Sequence, residues 1–170
     1  MKILFTKYHG AGNDFILIDF RRFPPQFDIS RFVCTLCERH LGIGADGVIL
    51  LYSSSVADYK MRIFNADGSE PSMCGNGIRC LFDFIEKHLN RSIELKIETL
   101  HGILKCRRIE EEIAVNLGIP RILHWPIELS QGPAFVINTG VPHAILFDDD
   151  IDNKNVAEEG AKIRFHPILS

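Results

Sequence analysis

Five cysteines punctuate the chain, and one of them stands where thiol chemistry is easiest. Cys74 is followed by Gly75-Asn76-Gly77 and then by Ile78, Leu81, Phe82, Ile85 and Leu89, whose spacing predicts a buried helix beginning near Asn76. A thiol at a helix start sits in the positive potential of N–H groups that have no intrahelical partner, which favours the thiolate. The flanking glycines let a ligand approach the backbone closely, so those N–H groups can hold a carboxylate. A base beside an anion hole suits removal of a proton alpha to a carboxylate, where negative charge builds on the carboxylate oxygens. The pattern alone is met equally by a small buried cysteine at a tight turn, because buried thiols are common and mostly inert.

A second candidate is His143, in NTGVPHAILF, where Val141-Pro142 forces a turn ahead of a strand. Remote in sequence from Cys74, it can meet the thiol in space as a proton partner, or it can be a half-buried turn histidine. Cys34-Thr-Leu-Cys37 is a CxxC on a helix face, with no second CxxC and no suitably spaced His pair. Since a tetrahedral zinc site needs four ligands, that pair reads as structural. Cys80 and Cys106 carry no motif and read as packing residues. His9-Gly10-Ala11-Gly12-Asn13-Asp14-Phe15 is a glycine-containing turn between strands. It lacks the third glycine of a dinucleotide fingerprint and runs into a strand instead of a helix, so Asn13 is either a turn residue or a ligand contact. Arg62, Glu70 and Arg79 have no role that the pattern assigns.

The elements that must position these groups are mostly strands. Lys2–Tyr8, Phe15–Phe20, Val48–Ser53, Tyr59–Phe64, Ile93–Thr99, Ile103–Ile109 and Ile113–Leu117 read as strands, with Phe135–Asn138 and Ala144–Phe147 after a break. Asp28 can cap a helix with the apolar face Ile29, Phe32, Val33, Leu36 and Cys37. The spacing predicts a third helix over Asn155–Ile163. Gly118–Pro133 carries three prolines and two glycines and reads as a linker, so the boundary falls between residues 1–118 and 119–170. The stretch after Pro133 is too short to bury a core of its own. It reads as the beginning of a second, truncated domain, or as one that needs a partner surface.

With 170 residues, 46% hydrophobic and 24% charged, the composition is that of an ordinary globular protein. A net charge of −3 leaves no electrostatic footprint for nucleic acid or an anionic membrane. The basic run Lys105, Arg107 and Arg108 reads as a solvated strand face. The longest apolar run, Val48 to Leu51, suits a buried strand and not a membrane span, and no signal peptide is recognisable. The odd cysteine count fits a reducing compartment, and a cytoplasmic location is expected.

In order, HGAGNDF, GIGADG, FNADGSEPSMCGNG and GVPH make the sequence resemble the diaminopimelate epimerase family through its whole length. The resemblance implies an α/β (α+β) fold of two similar domains, each a barrel-like, mostly antiparallel sheet around a central helix, the second incomplete here. It implies an isomerase converting LL-diaminopimelate to the meso form, for lysine and peptidoglycan precursors, with no pyridoxal phosphate, no metal and no other cofactor. Two cysteines would share the work, a thiolate removing the alpha proton from one face and a thiol returning one to the other. By resemblance Cys74 is one of the pair and His143 helps ionise it. Gly75 and Asn76 would offer backbone N–H groups to the reacting carboxylate, and Asn13 and Asn65 would hold substrate. A homodimer is the family tendency.

Three departures stand out. No cysteine follows Cys106, so the partner thiol's motif is absent, and one thiol exchanges a proton without inverting a centre efficiently. Val141 replaces the Asn that many relatives carry before Pro-His, and Gly47 replaces the Gln of some, so selectivity is expected to be looser. The alternatives are a racemase or epimerase of another amino acid such as proline, a truncated non-catalytic ligand-binding half, and a thiol-redox module on Cys34 and Cys37.

Overall fold

The computed structural model describes residues 2–89 and 92–169, which divide into two compact units meeting between Leu117 and Gly118. In the first unit β1 (Thr6–Gly10) turns into β2 (Asn13–Asp19) through Ala11-Gly12. Both turn residues have positive φ, 50° and 88°, and Gly10 pairs with Asn13, so this is a two-residue hairpin of the type that matches strand twist. Then come α1 (Ile29–Cys37), β3 (Gly47–Tyr52), β4 (Tyr59–Asn65), α2 (Gly75–His88), β5 (Glu94–Thr99), β6 (Gly102–Ile109) and β7 (Glu112–Asn116).

The strands form one sheet in chain order, β1 to β7. It is antiparallel except at β2–β3 and β4–β5, where parallel pairing requires a crossover and α1 and α2 supply it. The crossovers lie on opposite faces. Leu17, Ile49, Leu51, Met61, Ile63, Ile97 and Cys106 pack on Ile78, Leu81, Phe82 and Ile85 of α2. The alternate residues Ile16, Ile18, Val48, Leu50 and Phe64 pack on Val33 and Cys37 of α1. This period-2 division explains why the predicted apolar run over Val48–Leu51 is buried throughout. Because α2 touches both edge strands, β1 and β7, the sheet curls around it, giving the sheet-around-helix domain that the motifs imply.

Salt bridges bind sheet to helix. Arg108 of β6 pairs with Asp83 (2.9 Å) and with Glu86 of α2, so it is no solvated strand residue as its neighbours Lys105 and Arg107 are. Leu89 also departs from expectation. The last helical residue is His88, and as C-cap Leu89 swings out of the helix at φ −126° and is 37% exposed. The first strand begins at Thr6 and not at Lys2, its register being set by the tight turn after Gly10.

The second unit holds β8 (Arg121–Leu129), β9 (Gly132–Asn138) and β10 (Pro142–Leu146) in the antiparallel order β10-β9-β8, a 3-10 turn at Ile151–Asn153, and α3 (Val156–Arg164). Most of the expected linker is therefore strand. Proline is tolerated because β8 is an edge strand whose register slips at Ile122/His124 and His124/Ile127, and Pro126 falls within the second irregular stretch. Trp125, Phe135 and Phe147 stack edge-on at 4.6 and 5.9 Å, and Asn155 caps α3 by accepting from the Glu158 N–H. Among the described residues no helix is long and apolar enough to cross a membrane.

Candidate active site

Cys74 is the N-cap of α2, in extended backbone at φ −142° and ψ 117°. Its Sγ accepts from the Gly77 N–H at 3.4 Å, and its carbonyl accepts from the Ile78 N–H at 2.9 Å. The N–H groups of Gly75 and Asn76, one residue earlier in the turn, have no intrahelical acceptor and line the helix end beside the thiol. Gly77 makes this approach possible. A Cβ there would stand 2.7 Å from Ile63 Cδ1, so any side chain would have to push that methyl group aside for the first turn of α2 to sit this deep in the sheet.

The hairpin closes on the same helix end. At Gly10 a Cβ would meet Cys80 Sγ at 3.2 Å and the Asn76 carbonyl oxygen at 3.4 Å. Two residues past the turn, Asn13 Oδ1 accepts from Asn76 Nδ2 at 2.7 Å. Asn13 Nδ2 in turn points at Asp46 Oδ2, 3.4 Å away. Asp46 belongs to the loop before β3, which is clamped to the start of β2. Its N–H donates to Asp14 Oδ1 and its carboxylate accepts from the Asp14 N–H, while Arg39 donates to both carboxylates at 2.9 and 2.8 Å. The Arg39 guanidinium, with the Lys7 ammonium at 2.7 Å, holds the Asp14 carboxyl well below the usual carboxylate range.

Asn65 ends β4 at the same rim of the sheet, since Phe15, Gly47 and Asn65 are in register across β2, β3 and β4. Its amide donates to Ser69 Oγ at 2.9 Å within the turn Ala66-Asp67-Gly68, so it stands outside the Asn13–Asn76 hydrogen-bond chain. Arg62 and Glu70 form a two-pronged ion pair at 2.7 Å that staples this turn to β4. Of the expected site residues, Cys74, Gly75, Asn76 and Asn13 are thus brought together. His143 belongs to the second unit, exposed on β10 at a pocket of about 590 Å³ shared with Val136, Val141 and Arg164.

Burial separates three of the other thiols, Cys37, Cys80 and Cys106, from Cys74. It pushes Cys37 and Cys80 up to about 11 and Cys106 up to about 12. A buried Cys37 with a raised thiol is the opposite of a reactive CxxC. The family model for diaminopimelate epimerase matches residues 5–123. The chain belongs to the diaminopimelate epimerase family. It is 41% identical to the diaminopimelate epimerase of Gloeothece citriformis over 98% of its own length and 67% of that protein's. The corresponding enzyme of Microcystis aeruginosa is also 41% identical, over 99% of this chain and 68% of that one.

Among solved structures, a probable proline racemase from Agrobacterium radiobacter is 14% identical with a TM-score of 0.63, over 94% of this chain and 53% of that one. A hydroxyproline epimerase from Agrobacterium vitis has 16% identity and a TM-score of 0.60, over 82% of this chain and 50% of that one. A Bacillus anthracis phenazine biosynthesis protein of the PhzF family has 21% identity and a TM-score of 0.59, over 85% and 55%. These share the fold. The chain spans about two thirds of its sequence relatives' length and about half of these structures'.

Arg79, to which the sequence pattern assigns no role, also reaches this helix end. Arg79, one helical turn beyond Asn76, donates from Nη2 to Asn76 Oδ1, and its Nη1 lies 4.0 Å from where a Cβ on Gly75 would be. The i, i+3 spacing of Asn76 and Arg79 was the available signal.

Proposed function

We propose that this chain carries one side of the acid/base machinery that converts LL-diaminopimelate to the meso form. The thiolate of Cys74 takes the alpha proton, and the electron pair left by the broken C–H bond spreads onto the carboxylate. The N–H groups of Gly75 and Asn76 hold those oxygens, Asn13 and Asn65 bind substrate, and His143 assists ionisation of Cys74. Inversion is completed by a thiol delivering a proton to the opposite face. None of Cys34, Cys37, Cys80 and Cys106 stands at a helix start, so Cys74 is the thiol of the pair that this arrangement supports. The reaction needs no cofactor, and we place it in the cytoplasm, in lysine and peptidoglycan precursor synthesis, in a homodimer.

The observation that carries the reading is the Cys74 Sγ at the N-cap of α2, beside helix N–H groups with no intrahelical acceptor. The test is loss of the alpha-proton NMR signal of LL-diaminopimelate in D2O, with Cys74→Ser as control. Exchange that vanishes in the variant supports Cys74 as base. Equal exchange by both proteins rejects it.

Gly47 and Val141 favour a second reading, in which shorter amino acids also serve. A Cβ at Gly47 would stand 2.5 Å from the Phe64 carbonyl oxygen, so the backbone here excludes a side chain that could reach substrate from this position. Looser selectivity predicts exchange rates for diaminopimelate and a shorter amino acid within about tenfold, the discrimination of a pocket lacking one specific contact. A ratio a hundred times larger would exclude it.

A further inference from the structure

Asn76 and Asn13 meet amide to amide, and an amide can be reversed end for end with little change in shape. Which atoms such a pair presents is set by what flanks it. Here one flank only donates and the other only accepts. Arg79 Nη2 donates to Asn76 Oδ1, so Asn76 Nδ2 is the atom that donates to Asn13 Oδ1 at 2.7 Å. Asn13 Nδ2 is then directed at the carboxylate Oδ2 of Asp46 at 3.4 Å. The chain Arg79, Asn76, Asn13, Asp46 therefore runs in one direction from a cation to an anion.

Arg79 is not spent elsewhere. Among the described residues no carboxylate lies within ion-pair distance of it, whereas Arg21, Arg39, Arg62 and Arg108 all have carboxylate partners. Half-buried, its guanidinium lies between Asn76 and an open groove of about 450 Å³ lined by His9, Gly10, Cys80 and Asp83. The Asp46 end is the weaker clamp because its hydrogen bond is long, so the orientation of the pair depends chiefly on Arg79.

We infer that Arg79 is a positioning residue of the epimerase site. It fixes the amide of Asn76, and through it that of Asn13, the right way round for substrate. The catalytic part of this inference rests on the function proposed above, and the orientation of the amides does not. Arginine suits the task better than lysine, because its planar fork holds direction, yet lysine still supplies a donor.

The test uses the full chain labelled with 15N. The side-chain NH2 signals of Asn13 and Asn76, assigned through single Asn→Ser variants, are compared in wild type, Arg79→Met and Arg79→Lys. Arg79→Met should shift both pairs of signals, and Arg79→Lys should return that of Asn76 toward wild type. For alpha-proton exchange, Arg79→Met should raise KM about tenfold, the scale of one hydrogen bond, with a smaller change in kcat and with Arg79→Lys between the two. Unmoved Asn13 and Asn76 signals in Arg79→Met overturn the inference, as does a KM equal to wild type. Should Arg79→Met fail to fold, Asp46→Asn reads the pair from its other end, and an unmoved Asn13 signal there also overturns it. A wild-type chain that catalyses no exchange counts against the proposed base, while the amide signals still decide the role of Arg79.

Discussion

At the scale of single residues, the five thiols sort by position. Cys34 is exposed and Cys74 half-buried at a helix end, whereas Cys37, Cys80 and Cys106 are buried, which also pushes their thiols up. Alkylation needs both thiolate and access. Iodoacetamide at pH 8 should therefore label Cys34 and Cys74 in the native protein, and the other three only after unfolding, as peptide mass spectrometry would show. Substrate should protect Cys74 and leave Cys34 reactive. Native labelling of Cys80 at the rate of Cys34 would contradict this account of the site. Cys74 was legible in the sequence because a helix cap is local, with glycines, cap and apolar face within one short stretch. The Asn13–Asn76 contact was not, because it joins residues 63 apart and exists only once the hairpin folds onto the helix. The same holds for Asp14, Arg39 and Asp46, whose charges read as scattered until two loops bring them together.

At the scale of elements, the depth of α2 in the curled sheet positions the chemistry. A Cβ on Gly77 would meet Ile63 Cδ1 at 2.7 Å and Ile49 Cδ1 at 3.4 Å, so the Ile63 methyl group must shift to admit it. Gly77→Ala should then cost about 1–3 kcal/mol by overpacking, offset by at most about 1 kcal/mol of improved helix propensity. It should also move the Cys74 cap, so alpha-proton exchange should fall by more than the stability change explains. A urea midpoint at or above wild type would show that the sheet relaxes more easily than its packing suggests. The strands of this unit were legible because their alternation survives in the fold. In β8 the pattern failed, since bulges break the period of two and Pro126 falls where the register slips between His124 and Ile127.

At the scale of the molecule, the two units differ in how much each buries. Both apolar clusters of the first unit, around α2 and around α1, lie within residues up to Leu117. In the second unit the buried apolar residues are Leu129, Ala134 and Val136, while Ile122, Trp125, Phe147, Ile151, Val156 and Phe165 are each more than half exposed. Leu123, Val141 and Ile145 are 46%, 36% and 37% exposed, and the aromatic stack of Trp125 and Phe147 on Phe135 adds further packing. Local opening costs least where few apolar contacts must be broken, so the units should not share one protection level. Hydrogen–deuterium exchange of the 170-residue chain should show β2, β3 and α2 protected for hours. The amides of β8, β9, β10 and α3 should exchange within minutes. Uniform protection across both units would mean that the second draws its stability from contacts its own residues do not account for. If the pattern holds, His143 is carried on the more labile of the two units, and any catalytic contribution from it should fall off with temperature before the Cys74 helix unfolds.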